Sequence, residues 1–348
     1  MCIVILSTAH PRYALIVVDN RDEYVLRPTT QPYWWTHGAS GSRILSSRDL
    51  YRHERGTWMG FNQDGRFAVL TNFRESALDD PDKSHGGVKS RGVIVTEWLG
   101  APPCESLDDF VPRVTDSGTY KGVGGFSLVC GDLREMTKDK GIKAAAIISN
   151  RCDRAEQVPR ICRARGETTA LSNTIYAEPG TWPKVKMGKE LMEKAIQEAV
   201  EQDLDEEALL QSLLNVLDHD TMAKDPNRTL AEFRDALKTS IFIPAFMDKE
   251  AQEAMDDARR RGREQHLPRF ETAPSEDDGR RGSDAEPKEN FLRGAYGTQR
   301  QTVVLVDWDG NVVYKERALW DAHGNELRRG EADVVKRFRI GETTSPRL

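Results

Sequence analysis

The segments Cys2-Ile3-Val4-Ile5-Leu6 and Tyr13-Ala14-Leu15-Ile16-Val17-Val18, separated by His10-Pro11-Arg12, decide the fold. Both runs are apolar and rich in β-branched residues, and the Pro-containing break between them is a turn signal. They read as an antiparallel hairpin centred near Pro11. Symmetry about that turn makes paired positions sum to roughly 22, so Cys2 falls opposite about Asn20. The second run ends in the polar cluster Asp19-Asn20-Arg21-Asp22-Glu23, which brings Arg21 and Asp22 within a residue of Cys2.

Further strands are expected at Trp58 to Phe61, Phe67 to Thr71, Gly92 to Trp98, Phe126 to Cys130 and Lys143 to Ile148. Asn62-Gln63-Asp64-Gly65 joins two of them as a hairpin loop. Thr302 to Val306 and Val312 to Lys315 form a last hairpin through Asp309-Gly310-Asn311, expected to complete the sheet of the first. Helical spacing of apolar residues marks Ser106 onward, Lys189 to Gln202 and Asp205 to Leu217, with Thr229 capping a third, short helix in that region. Strands in runs with helices grouped between them indicate layered α+β packing rather than alternating βαβ units.

From Arg259 to Asn290, Arg, Glu, Asp, Gly, Ser and Pro dominate, and the segment reads as a disordered charged insertion in one domain spanning 1–348. The net charge of −6 argues against a surface built to bind nucleic acid. No apolar run approaches a membrane span, so a cytoplasmic protein without a transmembrane segment is expected. Five cysteines (Cys2, Cys104, Cys130, Cys152, Cys162) are too few and too scattered for a disulfide framework. No metal-ligand spacing and no cofactor motif is visible among Cys and His, so no metal or cofactor is expected.

Chemistry concentrates at Cys2. Removal of Met1 would leave Cys2 with its own base, an α-amine of pKa near ~7.7 that can take the thiol proton. A guanidinium at Arg21 would stabilise the thiolate, Asp22 could orient the amine, and Asn20 and Glu23 complete the polar cluster. Attack on a carbonyl also needs donors for the oxyanion, a role open to Asn side chains. The plainer alternatives are a small apolar residue opening a buried strand and a solvated strand end.

Several short motifs share one order with a known family. They are Met1-Cys2-Ile3, Asp19-Asn20-Arg21-Asp22-Glu23, Gly56-Thr57-Trp58-Met59-Gly60, Leu70-Thr71-Asn72-Phe73-Arg74 and Ser90-Arg91-Gly92. Leu171-Ser172-Asn173, Trp182-Pro183-Lys184-Val185 and Tyr296-Gly297-Thr298 follow. The chain resembles the NRDE-motif family, also called the Transport and Golgi organisation family. That family is similar to N-terminal nucleophile hydrolases, which implies a four-layer α-β-β-α sandwich with mainly antiparallel sheets. By this resemblance Cys2, Arg21, Asp22, Asn72 and Asn173 fall at the catalytic positions.

The resemblance also implies roles in secretion and Golgi organisation, Golgi or mitochondrial association, and a hydrophobic or acylated partner such as haem or acyl-CoA. Two readings remain open. One is binding or trafficking of that metabolite; the other is hydrolysis of an amide or thioester through an acyl-enzyme on Cys2. Trp34 and Trp35 could wall the ligand site, or pack as part of an anchored loop. In one respect the chain departs from the family, which commonly reads Tyr-Gly-Thr-Arg where this chain has Gln299 before Arg300. On a strand, a one-residue shift turns Arg300 to the other face unless a bulge restores it.

Overall fold

The computed structural model describes residues 2–72, 90–117, 120, 123–177, 180, 182–222, 229–271 and 292–342. Met1, the Phe73-Arg74 pair of the family motif and residues 272–290 of the charged insertion lie outside them.

The opening hairpin is β1 (Ile3–Ser7) and β2 (Tyr13–Tyr24), with Ile3 opposite Asn20 and Ser7 opposite Ile16. The pair sum is 23, one more than the symmetric estimate. Ile3 to Leu6 and Ala14 to Val18 are wholly buried. Both faces of this hairpin are therefore covered, which is why its sequence is continuously apolar instead of alternating. The expected last hairpin, β11 (Tyr296–Asp307) and β12 (Asn311–Ala318), docks on β2 and turns through Gly310, whose φ of 83° suits glycine. With β10 (Thr168–Leu171) and β13 (Val334–Arg339) it makes a six-stranded sheet, β10-β1-β2-β11-β12-β13, antiparallel throughout.

A second antiparallel sheet runs β3 (Tyr33–Thr36), β4 (Arg43–Ser46), β5 (Met59–Asn62), β6 (Arg66–Asn72), β7 (Phe126–Asp132), β8 (Ala145–Ser149) and β9 (Arg160–Ile161). The sheets face each other across a core containing Val4, Leu6, Val17, Phe61, Phe67, Val69, Val129, Val304 and Tyr314. Helices α3 (Pro183–Glu201) and α4 (Glu206–Leu217) cover the outer face of the first sheet. Helices α1 (Gly92–Leu99) and α2 (Leu107–Asp116) cover the outer face of the second. The layers are α-β-β-α, as the resemblance implied. Among the described residues no helix is long and apolar enough to cross a membrane.

Capping follows the expected residues: Ser106 with Asp109 and Thr229 with Glu232 form capping boxes on α2 and on the short α5 (Leu230–Ala236). Asp205 caps α4. Helix α3 begins at Pro183, six residues before the apolar spacing becomes regular.

Two expectations are corrected. Gly92 to Trp98 is helix, not strand. Its Val, Ile and Thr residues favour strands locally, but Ile94, Val95, Trp98 and Leu99 bury one helical face on the sheet, and the Trp98 indole donates to the Phe67 carbonyl at 3.1 Å. Burial of each large side chain is worth ~1.5–3 kcal/mol, which exceeds propensity differences of a few tenths. The charged insertion also starts too early, because Arg259 to Glu264 close α6 (Lys249–Glu264). Met255 of α6 packs with Val25, Leu319 and Trp320, Arg259 donates to the Gly324 carbonyl, and Arg269 pairs with Glu331 at 2.9 Å.

Candidate active site

Strand register assembles one row of side chains across the first sheet. Extending Ile3 opposite Asn20 by one residue aligns Cys2 with Arg21, and extending Val4 opposite Leu171 aligns Cys2 with Asn173. β11 then sets Arg300 opposite Arg21. The row reads Asn173, Cys2, Arg21, Arg300, on the face that looks toward the second sheet.

Arg300 reaches this row through a bulge. Thr298 pairs with Asp22 and Arg300 with Arg21, leaving Gln299 as the extra residue. The residue that separates this chain from the family pattern is thus absorbed, and Arg300 keeps its face. Gln299 is tied down by its own amide, which donates to the Val25 carbonyl at 2.9 Å.

Cys2 is buried, and burial pushes its thiol up to about 11. The positive charge at the amino terminus opposes that shift, while Asp19 and Asp22 add to it and a backbone hydrogen bond from Asp22 lowers it. The Cys2 carbonyl accepts from Ser172 Oγ at 2.7 Å, and Ser172 Oγ also reaches Asn173 Oδ1 at 3.3 Å. Asn173 Nδ2 donates to the Asn72 carbonyl, and Thr71 Oγ1 donates to the Ser172 carbonyl at 3.1 Å. These bonds stitch the end of β6 to the start of β1. Cys2, Asn72 and Asn173 are therefore linked through Ser172 and the Asn173 amide although they come from two sheets. Asn72 Oδ1 is buried and accepts no hydrogen bond among the described residues.

Arg21 is buried with its Cζ 4.1 Å from the centre of the Trp58 ring, a cation–π contact, and its Nη1 has no hydrogen-bond partner among the described residues. Burial lowers its pKa, and the Glu23 carboxylate is the main opposing charge. Arg300 Nη1 donates to the Trp320 carbonyl at 2.8 Å, and its Nε stands 3.7 Å from Glu316 Oε1. Burial brings Arg300 down to about 10.

Asp22, the next residue along, points to the opposite face, as strand alternation requires. Its Oδ1 accepts from Thr298 Oγ1 at 2.7 Å, and its Oδ2 lies 3.7 Å from Lys184 Nζ. Burial raises this carboxyl against the amino-terminal and Lys184 charges. Glu23 is half-buried and bonds the Tyr24 amide and Arg27. Burial works to raise it, but Arg27, Arg21, the Tyr24 amide and the amino-terminal charge together hold it below its ordinary value.

Three expected ligand residues are not brought to the row. Asn20 faces the helices, where its Nδ2 donates to the Leu217 carbonyl at 2.8 Å and the Ile241 carbonyl at 3.0 Å. Trp34 and Trp35 lie on β3, an edge strand, and point to opposite faces. Trp34 packs edge-on against Phe338 at 5.0 Å, and Trp35 donates to Ser46 Oγ under the Arg48 guanidinium. One strand cannot present both as a single wall.

Four residues with no role assigned from sequence also belong here. Trp58 stacks on Arg21. Half-buried Arg91 donates to the Gly125 carbonyl at 3.1 Å, and burial lowers its pKa while the Glu23 and Cys2 charges raise it. Lys184 is fully buried on α3. Asp19 is buried in a second row, Val4-Asp19-Thr302-Glu316, directly behind the first. Burial raises Asp19 well above the usual carboxyl range, Asp22 adds to the shift and Arg21 opposes it. Neither Asp19 oxygen has a hydrogen-bond partner among the described residues. Trp58, Arg91 and Lys184 all sit in the motifs shared with the family. Asp19 opens the motif Asp19-Asn20-Arg21-Asp22-Glu23, also shared with the family, inside β2.

Residues 1–321 match the family model described as Transport and Golgi organisation 2. The human Transport and Golgi organization protein 2 homolog (Homo sapiens) is 27% identical over 327 residues, covering 92% of this chain and 94% of that protein. Among solved structures, the chain is similar to a variant of conjugated bile acid hydrolase from Clostridium perfringens. That match has 9% identity and a TM-score of 0.42, over 99% of this chain and 98% of that one. A Caenorhabditis elegans N-acylethanolamine-hydrolyzing acid amidase ortholog matches at 13% identity and a TM-score of 0.38, covering 66% of this chain and 88% of that one.

Proposed function

We propose, for a chain that belongs to the Transport and Golgi organisation 2 family, that the Cys2 row is an acyl-transfer site hydrolysing an amide or thioester of a hydrophobic acid. One observation carries this reading: Cys2 is in line with Arg21 and Arg300 on one side and with Asn173 on the other, with Asn72 tied to Asn173.

With Met1 removed, the Cys2 α-amine takes the thiol proton and the sulfur attacks the carbonyl carbon. A C–S bond forms, and the carbonyl π pair moves to oxygen. Amide N–H groups of Asn72 and Asn173 hold that oxyanion, while Arg21 steadies the thiolate before attack. The intermediate collapses, the bond to the leaving nitrogen or sulfur breaks, and the leaving group takes the proton from the ammonium. The same amine then deprotonates water, which attacks the acyl carbon. The C–S bond breaks, the acid departs and the thiol regains its proton. Asp22 orients the amine.

A second reading is favoured by the burial that pushes the Cys2 thiol up to about 11. In it, the site holds haem or an acyl-CoA without turnover, in support of secretion and Golgi organisation, and the chain works in the cytoplasm or at the Golgi or mitochondrial surface.

Reaction with p-nitrophenyl octanoate separates the two. Hydrolysis predicts intact-protein masses without Met1 and with a single octanoyl group, absent in Cys2→Ala, that decays as octanoate appears. A folded protein that never acquires the adduct would exclude the hydrolase.

A further inference from the structure

Lys184 stands in the first turn of α3, yet its side chain is fully buried against the sheet. A buried ammonium is costly to desolvate, and an apolar side chain of similar length would fill the same space. Its Nζ makes no hydrogen bond among the described residues; it lies 3.7 Å from Asp22 Oδ2 and 5.6 Å from the centre of the Trp182 ring. The other Asp22 oxygen accepts from Thr298 Oγ1, which itself accepts from the Ile243 amide at 2.9 Å. The carboxylate is gripped through one oxygen and faces a cation at the other.

We propose that Lys184 is a positioning residue for Cys2: its ammonium fixes the Asp22 carboxylate beside the start of β1 and adds a positive charge there, and so sets the pH at which Cys2 is acylated. This rests on the reading of Cys2 as the nucleophile. The charged groups acting on Lys184 are Asp22 from β2 and Cys2 from the start of β1. Those acting on Asp22 are the amino terminus and Lys184, with Thr298 of β11 as a neutral donor; Asp19 and Asp22 also repel each other. Burial alone pushes the Lys184 ammonium down and the Asp22 carboxyl up, and each partner's charge resists the other's neutralisation. With the Asp22 carboxylate still faced by the amino-terminal charge and bonded by Thr298, removing the Lys184 cation takes a positive charge away from the thiol and from the α-amine. Both then hold their protons to higher pH.

The test is the pH–rate curve for Cys2 acylation by p-nitrophenyl octanoate in wild type, Lys184→Met and Lys184→Arg, each checked for folding. We expect the midpoint to rise by about one pH unit in Lys184→Met and to return to near the wild-type value in Lys184→Arg. An unchanged midpoint in folded Lys184→Met overturns the role of Lys184 while leaving the nucleophile in place. Absence of Cys2 acylation in wild type at every pH overturns the nucleophile, and the inference with it. Should Lys184→Met not fold, the carboxyl carbon resonance of Asp22 in the wild-type protein decides, assigned by its loss in Asp22→Asn. An ionised Asp22 between pH 6 and 8 supports the proposal, and a protonated one overturns it.

Discussion

In the row Leu6-Val17-Val304-Tyr314 the side chains are wholly or almost wholly buried, and they lock into the core between the sheets. Two rows along, the same face carries Cys2, Arg21 and Arg300, also buried, but with nitrogen that makes no hydrogen bond among the described residues at Arg21 Nη1 and at Arg300 Nε, which stands 3.7 Å from Glu316. The row between them holds Asp19, Thr302 and Glu316. The strands are the same, and apart from the bulge beside Arg300 the contrast lies in the side chains. One end of the sheet contributes burial energy. The other holds desolvated charges that give the fold little net stability.

Substitutions can break that contrast. The largest expected effect is at the apolar end. Leu6→Ala should destabilise by ~2–5 kcal/mol in denaturant unfolding, while acylation per folded molecule stays at wild-type level. A loss below ~1 kcal/mol would mean the apolar row is not the mechanical support of the polar one.

Asp19→Asn should act the other way. A buried carboxyl raised above its unfolded value binds more protons when folded, so stability falls as pH rises from about 3.8 through the raised value. Above that window, removing the charge should therefore stabilise the fold, and the gain should vanish near pH 3. Thermal unfolding across pH reads this directly. Lower stability of Asp19→Asn at pH 7 would show that Asp19 is ionised and balances Arg21.

The smallest effect is expected from deleting Gln299. Thr298 and Arg300 then become neighbours and the bulge closes, at a cost of ~1 kcal/mol for the lost bond to the Val25 carbonyl. Acylation should persist. Its loss in a folded deletion variant would mean that Arg300 needs the bulge itself, beyond its place opposite Arg21.

The opening hairpin was legible in the sequence because continuous β-branched runs and a Pro break admit few alternatives, and it fixed the neighbourhood of Cys2 and Arg21. The register was off by one, since an irregular turn need not be symmetric about Pro11. Family motifs supplied Asn72 and Asn173, which no local pattern links to Cys2; pairing of β10 with β1 brings Asn173 beside it, and the stacking of two sheets brings Asn72. Gly92 to Leu99 was misread because a helix packed on a sheet can use β-branched residues when burial outweighs propensity. The charged insertion ran into α6 because α6 is built mostly from Arg, Asp and Glu around a narrow apolar stripe. Lys184, present in a family motif, carries no local signal of its buried place, because a lysine in a first helical turn ordinarily points to solvent.

The measurement closest to the central claim is the pH dependence of Cys2 alkylation by iodoacetamide in wild type and Arg21→Ala, with melting curves for both. Arg21 in line with Cys2 predicts a folded variant whose apparent thiol pKa is raised, because the nearby guanidinium no longer favours the thiolate. Superimposable titration curves from two folded proteins would contradict it, and Arg21 would then be no part of a Cys2 site.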